Sequence, residues 1–173
     1  MCRALGRPLS LLLCLLLGSG ARADELPEYR VKAAFLYNFM VFTEWPDNAA
    51  PDMTLCIVGD DPFGAAIDGL AGKRVADKPI SIQRVAAGAA LSRCRVVFIT
   101  ASAIGGLERL LAALADQAVL TVADSAGAMQ RGVQLNMRLA DSKVTFEANL
   151  DAARRHRLQL SSKLLRLATE VQR

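Results

Sequence analysis

Three short apolar runs constrain this chain more than any other feature. Met53 to Val58 is unbroken until Gly59, Arg95 to Thr100 repeats the pattern, and Ala118 to Val122 is a third instance. Runs this short that contain Ile, Val and Thr suit strands buried on both faces, as in a parallel sheet covered by helices. The segments between them support that arrangement. Asp60 or Asp61 can cap a short helix with Pro62 near its first position. Ser102 can cap a helix to about Ala115, carried by Ile104, Leu107, Leu110, Leu111 and Leu114. Pro79 to Val85 alternates apolar and polar residues, which predicts a half-buried strand.

The flanks add helices and change the strand pattern. Glu28 to Phe42 has apolar residues at 31, 34, 35, 39 and 42, which is helical spacing, and Pro46 lies just beyond its end. Asp47 to Asp52 is a polar connection, and Asp124 to Gln130 a short helix or turn. Val133 to Leu139 and Lys143 to Ala148 are consecutive strands split by Asp141-Ser142, which predicts a hairpin. Asn149 can cap a short helix through Arg155. From Ser161, the residues Leu164, Leu165, Leu167, Ala168 and Val171 predict a last amphipathic helix. Strands alternating with helices imply an α/β fold, with a mainly parallel sheet flanked by helices and made mixed by the late hairpin.

Residues 1–23 are a different matter. Arg3 and Arg7 precede a Leu-dominated run from Leu9 to Leu17, and Ala21-Arg22-Ala23 ends in a small-x-small pattern. This is the pattern of a removable secretory signal peptide cleaved near Ala23, and the run is too short to span a membrane. Removal leaves residues 24–173, enough for one domain and too few for two. It also takes three of the 21 basic residues and none of the 17 acids, so the remaining chain is nearly neutral. That argues against a nucleic-acid binder. The 53% hydrophobic content excludes disorder. Of four cysteines, Cys2 and Cys14 leave with the leader, and Cys56 and Cys94 remain. Two cysteines in an exported chain point to one disulfide, with two buried core thiols as the alternative.

No catalytic constellation emerges. The one histidine, His156, lies in Arg154-Arg155-His156-Arg157, a run that suits a solvated face. Gly64 and Gly69 have phosphate-loop spacing, but Leu70 stands where lysine is needed. Asp60, Asp61 and Asp124 follow buried strands, where α/β folds place ligands, and could serve acid/base or magnesium chemistry; a helix cap and turn, which Asp60-Asp61-Pro62 fits well, is the favoured reading. Tyr37, Phe39, Phe42 and Trp45 cluster at the end of the first helix; their helical spacing favours core packing, with a partner or ligand groove as the alternative. Glu147, taken alone, is an exposed strand carboxylate. No metal, cofactor or catalytic residue is assigned.

Several motifs in order carry a resemblance. They are Tyr37-Asn38-Phe39 with Glu44-Trp45-Pro46, Gly59-Asp60-Asp61-Pro62-Phe63-Gly64, and Cys94 opening an apolar strand. Val119 to Asp124, Phe146 to Leu150 and Ser161 to Ala168 complete the set. Together they resemble the YfiR family of bacterial periplasmic proteins over residues 28 to 169. The resemblance implies a single Rossmann-like domain able to form a homodimer. It implies a non-enzymatic repressor that binds the periplasmic sensor domain of an inner-membrane diguanylate cyclase, lowering cyclic-di-GMP and biofilm formation. An outer-membrane lipoprotein would sequester it. Cys56 and Cys94 match the family's disulfide, and Glu147 matches a family acid near the surface used for partner contact. The chain departs from the family in lacking a second cysteine pair around the hairpin, in Gly132-Val133 for Gly-Gly, and in Met137 for a usual Phe. A small-ligand-binding module acting on another membrane receptor is the alternative.

Overall fold

Pairing of the buried runs produces one sheet whose two faces are sorted by strand alternation. The computed structural model describes residues 27–46 and 52–173. The expected signal peptide, with Cys2 and Cys14, lies outside the described residues. Helix α1 (Pro27–Val41) is followed by β1 (Thr43–Glu44), β2 (Met53–Val58), α2 (Ala65–Asp68), β3 (Arg74–Val75), β4 (Lys78–Val85) and β5 (Val96–Ile99). A single 3-10 turn (Ile104–Gly106) leads into α3 (Leu107–Leu114), then β6 (Leu120–Ala123). The chain closes with β7 (Leu135–Ala140), β8 (Lys143–Asn149), α4 (Leu150–Arg155), β9 (Gln159–Leu160), α5 (Ser162–Leu165) and β10 (Glu170–Gln172).

The eight-stranded sheet has the order β10-β8-β7-β6-β5-β2-β4-β3, and β1 and β9 form a separate antiparallel pair. Strands β4, β2, β5, β6 and β7 are mutually parallel, and the β7–β8 and β3–β4 pairs are antiparallel. The sheet is therefore mixed and mainly parallel. Leu55 and Ile57 of β2 join Phe98, Val122 and the α1 residues Leu36, Phe39 and Met40 in one core layer. Cys56 and Val58 point the other way, into a second layer with Val97, Ile99, Leu107 and Leu114. Period-two alternation along doubly buried strands gives both layers from the same residues.

Local chemistry explains the connections. Gly59 ends β2 at φ +96°, and a Cβ there would collide with Thr100 Oγ1 and lie 2.6 Å from Ser102 Oγ. The hairpin turn places Asp141 and Ser142 at φ 48° and 60°, the left-handed pair that matches strand twist in two-residue hairpins. Asn149 caps α4 by accepting from the Ala152 N–H at 2.8 Å. Gln134 extends the β6–β7 ladder with its side chain, its Oε1 accepting from Thr121 N–H at 3.1 Å.

Three local expectations are corrected. Asp60 and Asp61 do not cap α2, which starts after Gly64; Asp61 Oδ1 instead accepts from Phe63 N–H at 2.7 Å, a turn within the preceding loop. Ser102 does not cap α3, because its Oγ accepts from Asp60 N–H at 2.8 Å and the helix begins after Gly106. The last helix is only Ser162–Leu165, and Glu170–Gln172 is a strand parallel to β8. The open edge of β8 captures the chain end: the Thr169 N–H and hydroxyl both donate to Phe146 O, at 2.8 and 3.0 Å. A helix of this length is marginal by itself, so strand pairing overrides its periodicity. Leu167, on the expected apolar stripe, is 70% exposed.

Candidate functional site

The β7–β8 hairpin assembles a charged cluster on one face and an apolar recess on the other. Register sets Asn136 opposite Glu147, and β10 brings Glu170 beside Glu147 on the other flank. Glu147 is consequently 7% exposed, not the open carboxylate that its sequence context suggests. Its Oε2 accepts from Asn136 Nδ2 at 3.2 Å, and its Oε1 from Arg138 Nη1 at 3.0 Å. Arg138, whose side chain is 47% exposed, carries the cluster to the surface. Buried carboxylates persist only when paired and hydrogen-bonded in this way. On the opposite face Leu139 is 54% and Val31 45% exposed. With Val144, Glu28 and Lys143 they line a shallow recess between α1 and the hairpin tip.

The acids at the strand ends are separately engaged. Asp61 Oδ2 pairs with Arg84 Nε at 2.7 Å, and Arg84 also reaches Asp68 at 2.8 Å. Asp124 Oδ2 accepts from Lys32 Nζ at 2.7 Å and from the Tyr29 hydroxyl at 3.0 Å. Lys32 also pairs with Glu28. Burial pulls the Lys32 ammonium down, but hydrogen bonds to Asp124 and Glu28 outweigh it and leave the group raised above its ordinary value. Burial and the Asp124 charge raise the Tyr29 phenol. Among the described residues, no group of three or more His, Cys, Asp or Glu side chains is placed to hold a metal ion. His156 Nδ1 lies 2.8 Å from Gln117 O, so the histidine ties α4 to the loop before β6.

Cys56 and Cys94 are bonded, with their Cα atoms 5.8 Å apart. Both are buried in the layer that packs under α3. The aromatic cluster divides. Phe39 is core, packing on Phe35 and Phe146 at 5.8 and 5.0 Å between ring centroids. Tyr37 and Trp45 instead line a cleft of about 550 Å³ with Arg74 and Arg95. Arg95 lies 5.4 Å from the Trp45 ring, and burial lowers its guanidinium despite the opposing charge of Asp52.

A family model described as YfiR/HmsC-like matches residues 29–169. The chain belongs to the YfiR/HmsC-like family. The matched span contains Cys56, Cys94, Glu147 and every strand of the sheet except β10. Comparison with curated proteins finds no match. Among solved structures, a crystal structure of a conserved domain protein from Vibrio cholerae O1 biovar El Tor str. N16961 is similar, with a TM-score of 0.59 at 10% identity. The similarity covers 83% of this chain and 60% of that one, and at this identity it establishes the shared fold alone.

Two members of the hairpin and strand-end clusters escape a linear reading. Arg138 pairs with Glu147 only through hairpin register; the alternation Asn136-Met137-Arg138 is the signal that could have found it. Lys32 lies on the same helical stripe as Leu36 and Met40, four residues apart, so its burial was in principle visible.

Proposed function

We propose that this YfiR/HmsC-like protein is a periplasmic regulator that binds the sensor domain of an inner-membrane diguanylate cyclase and holds the enzyme inactive. Family membership over residues 29–169 carries this reading. The Cys56–Cys94 bond agrees with an oxidising compartment. The protein acts by binding and not by catalysis. Repression requires only that it prefer the inactive form of the sensor; driving a two-state receptor from almost fully on to almost fully off needs about 10⁴-fold preference. The hairpin offers two faces of suitable character: Arg138 and the Glu147 cluster can set charge register on one, and the exposed Leu139 and Val31 lie on the other. Sequestration by an outer-membrane lipoprotein would release the cyclase, raising cyclic-di-GMP.

The test is intracellular cyclic-di-GMP in the source bacterium with and without the gene. Deletion should raise it, and the exported protein should reverse the rise while a version lacking residues 1–23 does not. Unchanged cyclic-di-GMP across growth conditions would overturn the reading. Glu147→Gln should release Arg138 from its ion pair and weaken repression in a protein that still accumulates. Full repression by that variant would remove Glu147 from the contact surface.

A further inference from the structure

The parallel strands run in the order β4-β2-β5-β6-β7. The chain leaves β2 to build β4 on one side, then crosses back to build β5 on the other. The carboxyl ends of β2 and β5 therefore flank a topological switch point, the place where open α/β sheets leave a crevice for ligands. A recess of about 320 Å³ lies there. Its floor is Val58, the last residue of β2; one wall is the loop from Ala87 to Leu91, and the other is Ala103, Gly106 and Leu110 leading into α3. The volume is at the lower end of small-molecule sites, and the lining is mostly apolar with few polar groups, as such sites usually are.

One charged side chain lines it. Arg109 is exposed at its rim and makes no hydrogen bond or ion pair among the described residues. The neighbouring acid Glu108 is turned toward Arg131, at 4.0 Å, and not toward Arg109. An uncommitted guanidinium at the mouth of an apolar recess is complementary to an anion that carries an apolar body. We infer that this recess binds a small amphipathic monocarboxylate, its carboxylate on Arg109 and its hydrocarbon part against Val58, Leu91 and Leu110. The site does not depend on the regulator reading, since binding is measured on the isolated protein.

The test titrates the chain lacking residues 1–23 with octanoate and with 3-phenylpropanoate, following amide NMR shifts or heat. Octan-1-ol and octylamine are the controls for charge. At least one carboxylate should saturate and bind about ten times more tightly than either control. An octanoate preference marks an aliphatic acid of lipid origin as the ligand class, and a phenylpropanoate preference an aromatic acid. Gly106→Leu should abolish binding by filling the recess. A Cβ at Gly106 meets nothing within 4 Å and its φ is −97°, so the fold accommodates the side chain. Arg109→Gln, on the exposed rim, should weaken binding about tenfold with an unchanged urea midpoint. The inference is overturned if neither acid saturates, if octanol binds as tightly as octanoate, or if both variants bind like the parent.

Discussion

Replacing Lys32 by methionine should be among the most damaging single changes in α1. The ammonium and the Asp124 carboxylate are each 4% exposed, and their 2.7 Å contact joins the first helix to the end of β6. Methionine keeps the stem's packing and removes the charge, so the loss reports electrostatics. Removing one member of a buried pair typically costs about 3–5 kcal/mol, because the other is left charged and uncompensated. The Tyr29 hydroxyl still donates to Asp124, a bond of about 1 kcal/mol, which puts the expected cost near 3 kcal/mol. In a domain of this size that is a fall in Tm of about 6–12 °C. Lys32→Met/Asp124→Asn removes both charges and keeps an acceptor for Tyr29, so it should cost only about 1 kcal/mol. Equilibrium urea unfolding of the parent, both single variants and the double variant completes the cycle. A single-variant cost below about 1 kcal/mol, or a double cost equal to the sum of the singles, would refute the reasoning. Alkali gives a second check. Lys32 and Tyr29 both hold their protons more tightly folded than unfolded, from ordinary values of 10.5 and 10.0. Their contribution is complete below those values and is lost as the pH rises through the folded ones, so stability should drop above about pH 10, less steeply in Lys32→Met.

Cys56→Ala/Cys94→Ala opens a loop with a sequence separation of 38 residues, and the loop-entropy estimate gives a cost of about 4 kcal/mol. Urea unfolding should show a lower midpoint; thiol counting on the denatured, unreduced chain lacking residues 1–23 should find no free thiol, and two would contradict the bond. At the hairpin tip, Asp141→Asn/Ser142→Gly supplies residues that tolerate the left-handed φ values of 48° and 60°. It should raise stability by about 0.5–1 kcal/mol in the same assay, and destabilisation would show that Ser142 has another role.

Adjacent residues carry most of what can be read without coordinates. The doubly buried runs at β2, β5 and β6, the α1 stripe, the Asp141-Ser142 turn and the Asn149 cap are all written in stretches shorter than a few turns of chain. Each follows from side-chain periodicity or from a cap bonding within three residues. The candidate site was less legible because its partners meet across the sheet. Glu147 is the clearest case: its burial depends on β10, and β10 depends on Thr169 finding the free carbonyl of Phe146. Nothing local to either segment encodes that pairing, and the leucines from 164 to 167 point toward helix.

The sequence by itself determined the α/β class, the hairpin and the family-bearing motifs, because these rest on contacts between near neighbours. Only the tertiary structure decided that Asp61 and Asp124 answer to different cations, and that Glu147 is held by Arg138. It alone showed Arg109 uncommitted, among the described residues, beside an apolar recess. Those outcomes turn on strand order and register, which bring together groups 9 positions apart for Arg138 and Glu147, 23 for Asp61 and Arg84, and 92 for Lys32 and Asp124.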